Sequence, residues 1–228
     1  MENIVISLGG SLIIPNGGIN TKFLKRFNLF IRSQITARQR RFFIVCGGGA
    51  TARHYQQAAR DVIGQIESED VDWLGIHATR LNAHLLRTIF RDIAYFRLKK
   101  HYDQLDVVDK PVMIASGWKP GCSTDFDAVL LAEEYQASLV INLSNIPMVY
   151  DKDPKEFKDA KPFSRLSWID FRRMVGDTWS PGMNVPFDPV AAKKAQELGL
   201  KVVILKGDDL ENVEKFLEGK EFVGTLIE

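Results

Sequence analysis

Four short, predominantly apolar runs set the rhythm of the chain, and each enters a turn rich in glycine or serine. Asn3-Ile4-Val5-Ile6-Ser7-Leu8 leads into Gly9-Gly10-Ser11, and Phe42-Phe43-Ile44-Val45-Cys46 into Gly47-Gly48-Gly49. Val112-Met113-Ile114-Ala115 precedes Ser116-Gly117, and Ser138-Leu139-Val140-Ile141-Asn142-Leu143 precedes Ser144-Asn145. Such runs predict strands buried on both faces that feed turns. Between them the period changes to 3.6. Phe23, Phe27, Phe30 and Ile31 share a face behind a cap at Asn20 or Thr21, and Tyr55, Ala59, Val62 and Ile66 align after the second turn. A long helix is predicted over 67–99, with Ala78, Leu81, Leu85, Ile89 and Ile93 on its stripe and Asp72, Arg80 and Asn82 outside it. Residues 100–111 carry no clear pattern. Ala128, Leu131, Ala132 and Tyr135 then share the face of a helix capped by Thr124 or Asp125. Further on, Ser167 and Asp170 have the spacing of a capping box, and Asp188-Pro189 opens a helix that Gly199 stops. Lys201 to Leu205 reads as a strand, Leu210 to Leu217 as a helix, and Phe222 to Ile227 as a last, edge strand.

Alternating strands and helices predict an α/β fold, with a mainly parallel central sheet sandwiched by helices. The turns after Ser7, Cys46, Ala115 and Leu143 would then open on one edge, where ligands gather in such sheets. With 228 residues, 45% of them hydrophobic, the chain can bury a sizeable core. A net charge of +1 excludes a global pull toward nucleic acid or membrane, and Arg38-Gln39-Arg40-Arg41 fits a solvated helix end. Cys46 and Cys122 are too few for a disulfide framework or a zinc site, and they suggest reduced thiols in a cytoplasmic protein. No signal peptide is expected, and no apolar run approaches the ~20 residues that a membrane helix needs.

Candidate chemistry gathers at the turns. In Ser116-Gly117-Trp118-Lys119-Pro120-Gly121-Cys122-Ser123-Thr124-Asp125, two glycines permit close backbone approach and Lys119 brings charge. Ser123 and Thr124 add hydroxyls beside a helix N-terminus, so the loop suits an anion as well as a capped turn. Three consecutive glycines at 47–49 favour close approach of a ligand or another segment, and Arg53 opposes the macrodipole of the helix that follows, a position that favours an anionic partner. Asp72 fits either a helix cap or an acceptor for sugar hydroxyls. Tyr150, beside the turn Asp151-Lys152-Asp153-Pro154, fits stacking on a base or packing on its own lobe. Asp125, Asp151 and Asp153 are all candidates for a magnesium ion, and any of them could be a cap instead; the metal ligands stay open. The chain has neither a Walker lysine motif nor a dinucleotide fingerprint.

These motifs also carry a resemblance. Gly9-Gly10-Ser11, Gly47-Gly48-Gly49 with Arg53, Asp72-Trp73-Leu74-Gly75-Ile76 and Ala78-Thr79-Arg80-Leu81-Asn82-Ala83 are followed by Pro120 to Asp125, Tyr150 to Pro154 and Phe187-Asp188-Pro189. Their order resembles that of the amino acid kinase family, and most closely its archaeal-type UMP kinases. The resemblance implies a single domain with an acceptor-binding lobe at approximately 1–135 and an ATP-binding lobe at 136–228. It implies a cytoplasmic homohexamer of pyrimidine nucleotide synthesis that moves the γ-phosphoryl of Mg-ATP to UMP. By motif, Ser7, Leu8, Gly9, Gly10, Ser11, Gly49, Arg53, Ser144, Asn145, Tyr150 and Asp153 would serve ATP. Gly48, Asp72, Trp118, Lys119, Pro120, Gly121, Cys122, Ser123 and Thr124 would serve UMP, with Arg53 and Lys119 as the catalytic cations. Three positions depart from the usual pattern. Ser7 stands where many members have lysine, Pro147-Met148 where a carboxylate and a glycine are usual, and Trp118-Lys119 where a small hydroxyl residue and a different neighbour are usual. A related kinase with another small phosphate or carboxylate acceptor, and a non-catalytic anion-binding or storage protein of the same fold, are the alternatives.

Overall fold

The computed structural model describes residues 1–178 and 185–228. Its elements, in chain order, begin with β1 (Glu2–Leu8), α1 (Gly10–Ile13), α2 (Thr21–Arg38), β2 (Arg40–Cys46), α3 (Gly49–Ile63) and α4 (Ser68–Ile89). They continue with β3 (Val112–Ala115), α5 (Thr124–Glu134), β4 (Leu139–Ser144), β5 (Val149–Tyr150), β6 (Pro162–Phe163) and β7 (Arg165–Leu166). The last are α6 (Trp168–Val175), α7 (Pro189–Glu197), β8 (Lys201–Lys206), α8 (Leu210–Leu217) and β9 (Thr225–Ile227).

The seven-stranded sheet has the order β3-β2-β1-β4-β8-β9-β7, parallel throughout except between β8 and β9, and β5 and β6 form a separate antiparallel pair. Register brings the predicted turns together. Leu8 lies opposite both Cys46 and Leu143, and Val45 opposite Ala115, so all four strand ends open on one edge. The period of two along β1 explains the sandwich. Ile4, Ile6 and Leu8 enter one apolar layer with Phe27, Phe42 and Leu86, while Val5 enters the other with Phe43, Met113 and Leu131. Fully buried side chains such as Phe27, Phe42, Phe43 and Phe90 each contribute about 1.5–3 kcal/mol from burial.

Several local expectations hold. Asn20 caps α2 by accepting from the Phe23 N–H, Ser167 caps α6 from the Asp170 N–H, and Asp188 caps α7 with Pro189 in its first turn. Others are corrected. The cap of α5 is Ser123, which accepts from the Phe126 N–H, rather than Thr124 or Asp125. Asp72 lies inside α4 and does not cap it. That helix ends at Ile89, and the chain after it runs beside β3. The Tyr95 N–H donates to the Val112 carbonyl at 2.8 Å and the Lys99 N–H to the Ile114 carbonyl at 3.0 Å. An open sheet edge offers unpaired backbone groups, and satisfying them outweighs extending the helix. The α4 stripe also shifts, because Leu81 is 62% exposed whereas Asn82 is buried. On α3, Tyr55 and Val62 face outward rather than into the core. β9 is not an edge strand, since β7 covers its outer side.

Candidate functional site

At the open sheet edge, two glycine turns interlock. A Cβ built on Gly10 would fall 2.1 Å from the Gly49 nitrogen and 2.7 Å from the Gly48 nitrogen, so only glycine admits this contact. Gly49 itself has φ +63°, in the left-handed region that glycine adopts without strain. Backbone bonds fasten the pair, from the Gly47 N–H to the Leu8 carbonyl at 2.9 Å and from the Ala50 N–H to the Ile14 carbonyl at 2.9 Å. Gly9 joins this knot to β4 by donating to the Leu143 carbonyl at 2.8 Å. From α4, the buried Asn82 amide donates to the Gly47 and Gly48 carbonyls at 2.7 and 3.2 Å. The turn is thereby held with its α3 N-terminus uncapped by any side chain, an arrangement that suits an anion.

From this turn a cleft of about 170 Å³ runs between α3, α4 and the 116–124 loop. Of the residues singled out in the sequence, Gly48, Gly49, Asp72, Gly117, Cys122 and Thr124 line it. Ala52, Gln56, Gly75, Ile76 and Thr79 line it as well. Of these five, Gly75, Ile76 and Thr79 belong to the motif stretches but give no sign there of lining a site. Helix residues with ordinary side chains become a site only through how two helices cross, which periodicity does not encode.

The loop is pinned to its surroundings at four points. The Gly117 N–H donates to Thr79 Oγ1 at 2.8 Å, the Gly121 N–H to Asp72 Oδ2 at 2.8 Å, and the Trp118 N–H to Asp127 Oδ2 at 3.2 Å. Arg80 donates to the Trp118 carbonyl at 3.2 Å. Trp118 turns its ring toward Tyr102, with centroids 5.8 Å apart, and the Lys119 ammonium lies 4.0 Å from the centre of that ring. Neither residue is among those that line the cleft. Pro120, Gly121 and Ser123 build the loop rather than the cleft wall. Arg53, exposed at the start of α3, donates to Asn16 Oδ1 at 3.1 Å and reaches Ser11 Oγ at 3.5 Å.

Beneath the knot lies a carboxylate cluster. Ser7 Oγ donates to Asp125 Oδ1 at 2.8 Å, the Asn142 amide to the same oxygen at 3.3 Å, and the Asp188 N–H to Asp125 Oδ2 at 3.3 Å. Burial raises the Asp125 carboxyl to about 6, with Asp188 adding to the rise. Burial also raises Asp188, and it pushes Asp127 well above the usual carboxylate range. At half burial, the Cys122 thiol is pushed up to about 11, which keeps it protonated near neutrality. The second strand-end group, Ser144 and Asn145, adjoins Gly9; the Ser144 hydroxyl accepts from the Ile146 N–H at 3.1 Å and its carbonyl from the Gly207 N–H at 2.8 Å. Tyr150 lies in the β5–β6 pair, and Asp151 and Asp153 each accept from a turn N–H, of Lys161 at 2.7 Å and Lys155 at 2.8 Å. Among the described residues, no three His, Cys, Asp or Glu side chains converge as a metal cage.

A model of the amino acid kinase family matches residues 2–206. The chain is 34% identical to a uridylate kinase of Methanocorpusculum labreanum, covering 100% of this chain and 96% of that one. It is likewise 34% identical to the uridylate kinase of Methanocaldococcus jannaschii, covering 99% of each. Among solved structures, the uridylate kinase of Archaeoglobus fulgidus superposes with a TM-score of 0.83 at 33% identity over 100% of both chains. A UMP kinase of Bacillus anthracis, at 21% identity and a TM-score of 0.80, shares the fold.

Proposed function

The chain belongs to the amino acid kinase family, and from that premise we propose that it is a UMP kinase, moving the γ-phosphoryl group of ATP to UMP to give UDP and ADP. The observation that carries this reading is the cleft itself. It starts at the uncapped glycine N-terminus of α3, where a phosphate fits, and it continues past Asp72, where a sugar fits. Its lining, with free glycine N–H groups at one end and the Asp72 carboxylate further on, matches the phosphate and sugar of a nucleoside monophosphate better than a small carboxylate.

In this reading UMP lies along the cleft with its phosphate at Gly48 and Gly49, and the loop from Trp118 to Thr124 folds over it. ATP approaches from the β4 side, over Ser7 to Ser11, with Ser144, Asn145, Tyr150 and Asp153 around it. The acceptor lobe is then approximately 1–135 and the ATP lobe 136–228. Gly9, which donates to the Leu143 carbonyl, stands where the two meet. Phosphoryl transfer asks a protein for positioning and charge neutralisation more than for covalent chemistry. Backbone N–H groups of the knot supply fixed dipoles, while Arg53 and Lys119 supply mobile positive charge at the mouth. Ser7 orients Asp125 below the phosphates and carries no charge itself. Magnesium would come with ATP and neutralise phosphate charge, with Asp125, Asp151 and Asp153 the carboxylates that could hold it.

The outward apolar residues of α3, Tyr55 and Val62, suit a contact between copies, in keeping with a homo-oligomer and with the hexamer implied by resemblance. No helix among the described residues is long and apolar enough to cross a membrane. We place the enzyme in the cytoplasm and in pyrimidine nucleotide synthesis. A coupled ADP-release assay with Mg-ATP, comparing UMP with CMP, AMP, isopentenyl phosphate and small amino acids, tests the reading. Turnover of UMP alone is expected. Turnover of another acceptor in its place would reassign the substrate, and UMP binding without any turnover would make the protein a non-catalytic binder.

A further inference from the structure

The wall of the cleft contains one polar side chain that neither the motifs nor the mechanism uses. Gln56, on α3, lines the cleft and donates through Nε2 to the Val71 carbonyl of α4 at 2.9 Å. A carbonyl can only accept, so this bond fixes which end of the amide faces α4. Oε1 is then the free end. No donor among the described residues reaches it, and it is not one of the unpartnered atoms sealed from solvent. The arrangement depends on Gly75, where an added Cβ would stand 3.1 Å from Gln56 Nε2 and crowd the amide across the helix crossing.

Asp72, which lines the same cleft from α4, is half committed in the same way. Its Oδ2 accepts from the Gly121 N–H at 2.8 Å, and no donor among the described residues reaches Oδ1. Two side chains from two helices, each bonded through one end of its polar group, thus line the same cleft, and the Gln56 amide lies against the carbonyl of Val71, the residue before Asp72. Neighbouring wall positions Ala52, Gly75 and Ile76 bring no side-chain donor. A ligand matching this wall presents two adjacent hydroxyl donors, as the vicinal diol of a ribose does. Side chains on a helix lean toward its N-terminus, so Gln56 reaches back toward the phosphate end at Gly49.

We propose that Gln56 is a sugar-reading residue, accepting one hydroxyl of the acceptor ribose while Asp72 accepts the other, so that the site selects a ribonucleotide over its 2′-deoxy counterpart. The inference rests on the UMP kinase reading and adds the group that distinguishes the sugar. One neutral hydrogen bond of this kind corresponds to about a tenfold difference in kcat/KM.

The test compares kcat/KM for UMP and dUMP in the wild-type enzyme and in Gln56→Met, with Gln56→Leu as a second variant and the KM for Mg-ATP as a control. The wild type is expected to prefer UMP, and both variants to lose about tenfold of that preference while the KM for Mg-ATP stays constant. General damage to the fold would lower UMP and dUMP turnover together, so the ratio separates a sugar contact from a structural one. A ratio that is unchanged in both variants, with UMP still turned over, overturns the assignment of Gln56 alone. Failure of the wild type to phosphorylate any nucleotide overturns the kinase reading and the assignment with it.

Discussion

Substituting Gly10 by alanine tests whether the two glycine turns act as one unit. The added methyl would stand 2.1 Å from the Gly49 nitrogen, 2.6 Å from the Gly47 carbonyl carbon and 2.7 Å from the Gly48 nitrogen. All three are backbone atoms, so no rotamer relieves the clash. Ordinary contact lies near 3.5–4 Å, which requires the turns to part by roughly 1 Å or more. Overpacking of this kind costs about 1–3 kcal/mol, or a fall in Tm of roughly 2–4 °C for each kcal/mol in a chain of this size. The effect on turnover is larger, because the displaced atoms lie between the proposed donor and acceptor, and a misplacement of about 1 Å can cost on the order of a hundredfold in rate. The expected result is a folded protein with modestly lowered Tm and kcat reduced about a hundredfold, measured by ADP release at saturating UMP. Gly17→Ala is the control, since a Cβ there meets nothing within 4 Å. A Gly10→Ala enzyme with wild-type kcat and Tm would refute the argument that the interlock sets the reaction geometry.

Strand ends and turns were legible from the sequence because they depend on local composition. Apolar runs closed by glycine mark buried parallel strands wherever they occur, and the register of β1 with β2 and β4 then aligns their turns without further information. Helix faces were less legible. The apolar stripe of α3 was visible but its direction was not, since a hydrophobic face does not say whether it meets the core or another copy. For α4, the apolar stripe leaves the polar Asn82 outside it, whereas Asn82 is buried because the Gly47 and Gly48 carbonyls of the knot accept from its amide. The same limit hid Gln56 and Thr79, whose roles arise where α3, α4 and the loop meet. Residues 100–111 had no periodicity because hydrogen bonds from individual side chains anchor them. Tyr102 donates to the Ser116 carbonyl at 2.8 Å, and Lys99 binds the Gln104 carbonyl and the Asp106 carboxylate.

Lys99→Met should be strongly destabilising, since the ammonium is buried against Glu134 at 2.6 Å and its loss strands that carboxylate. A cost of about 3–5 kcal/mol in denaturant unfolding is expected, with partial recovery in Lys99→Met/Glu134→Leu; equal losses in both variants would show that the pair is not what anchors the segment. Thr79→Val keeps the shape but removes the acceptor of the Gly117 N–H, so the KM for UMP should rise several-fold with Tm lowered by a few degrees. An unchanged KM would free the loop from that contact. Asp127→Asn addresses the pH dependence of the loop anchor. Asp127 Oδ2 accepts from the Trp118 N–H, and among the described residues Oδ1 is buried without a partner and no cation pairs with the carboxyl, which Asp125, Asp188, Cys122 and Tyr102 neighbour. Burial therefore favours the protonated form in the folded state. The unfolded carboxyl titrates near pH ~4, so this stabilisation is complete below that value and is lost as pH rises through the higher folded value. Asparagine keeps an acceptor for Trp118 and cannot ionise. Its Tm should match the wild type within a few degrees at pH 5 and exceed it increasingly toward pH 9, with Asp125 and Asp188 leaving a residual slope in both proteins. Parallel Tm curves for the two proteins across that range would mean that Asp127 is ionised in the fold as it is in the unfolded chain, and would refute the reading that burial keeps it protonated.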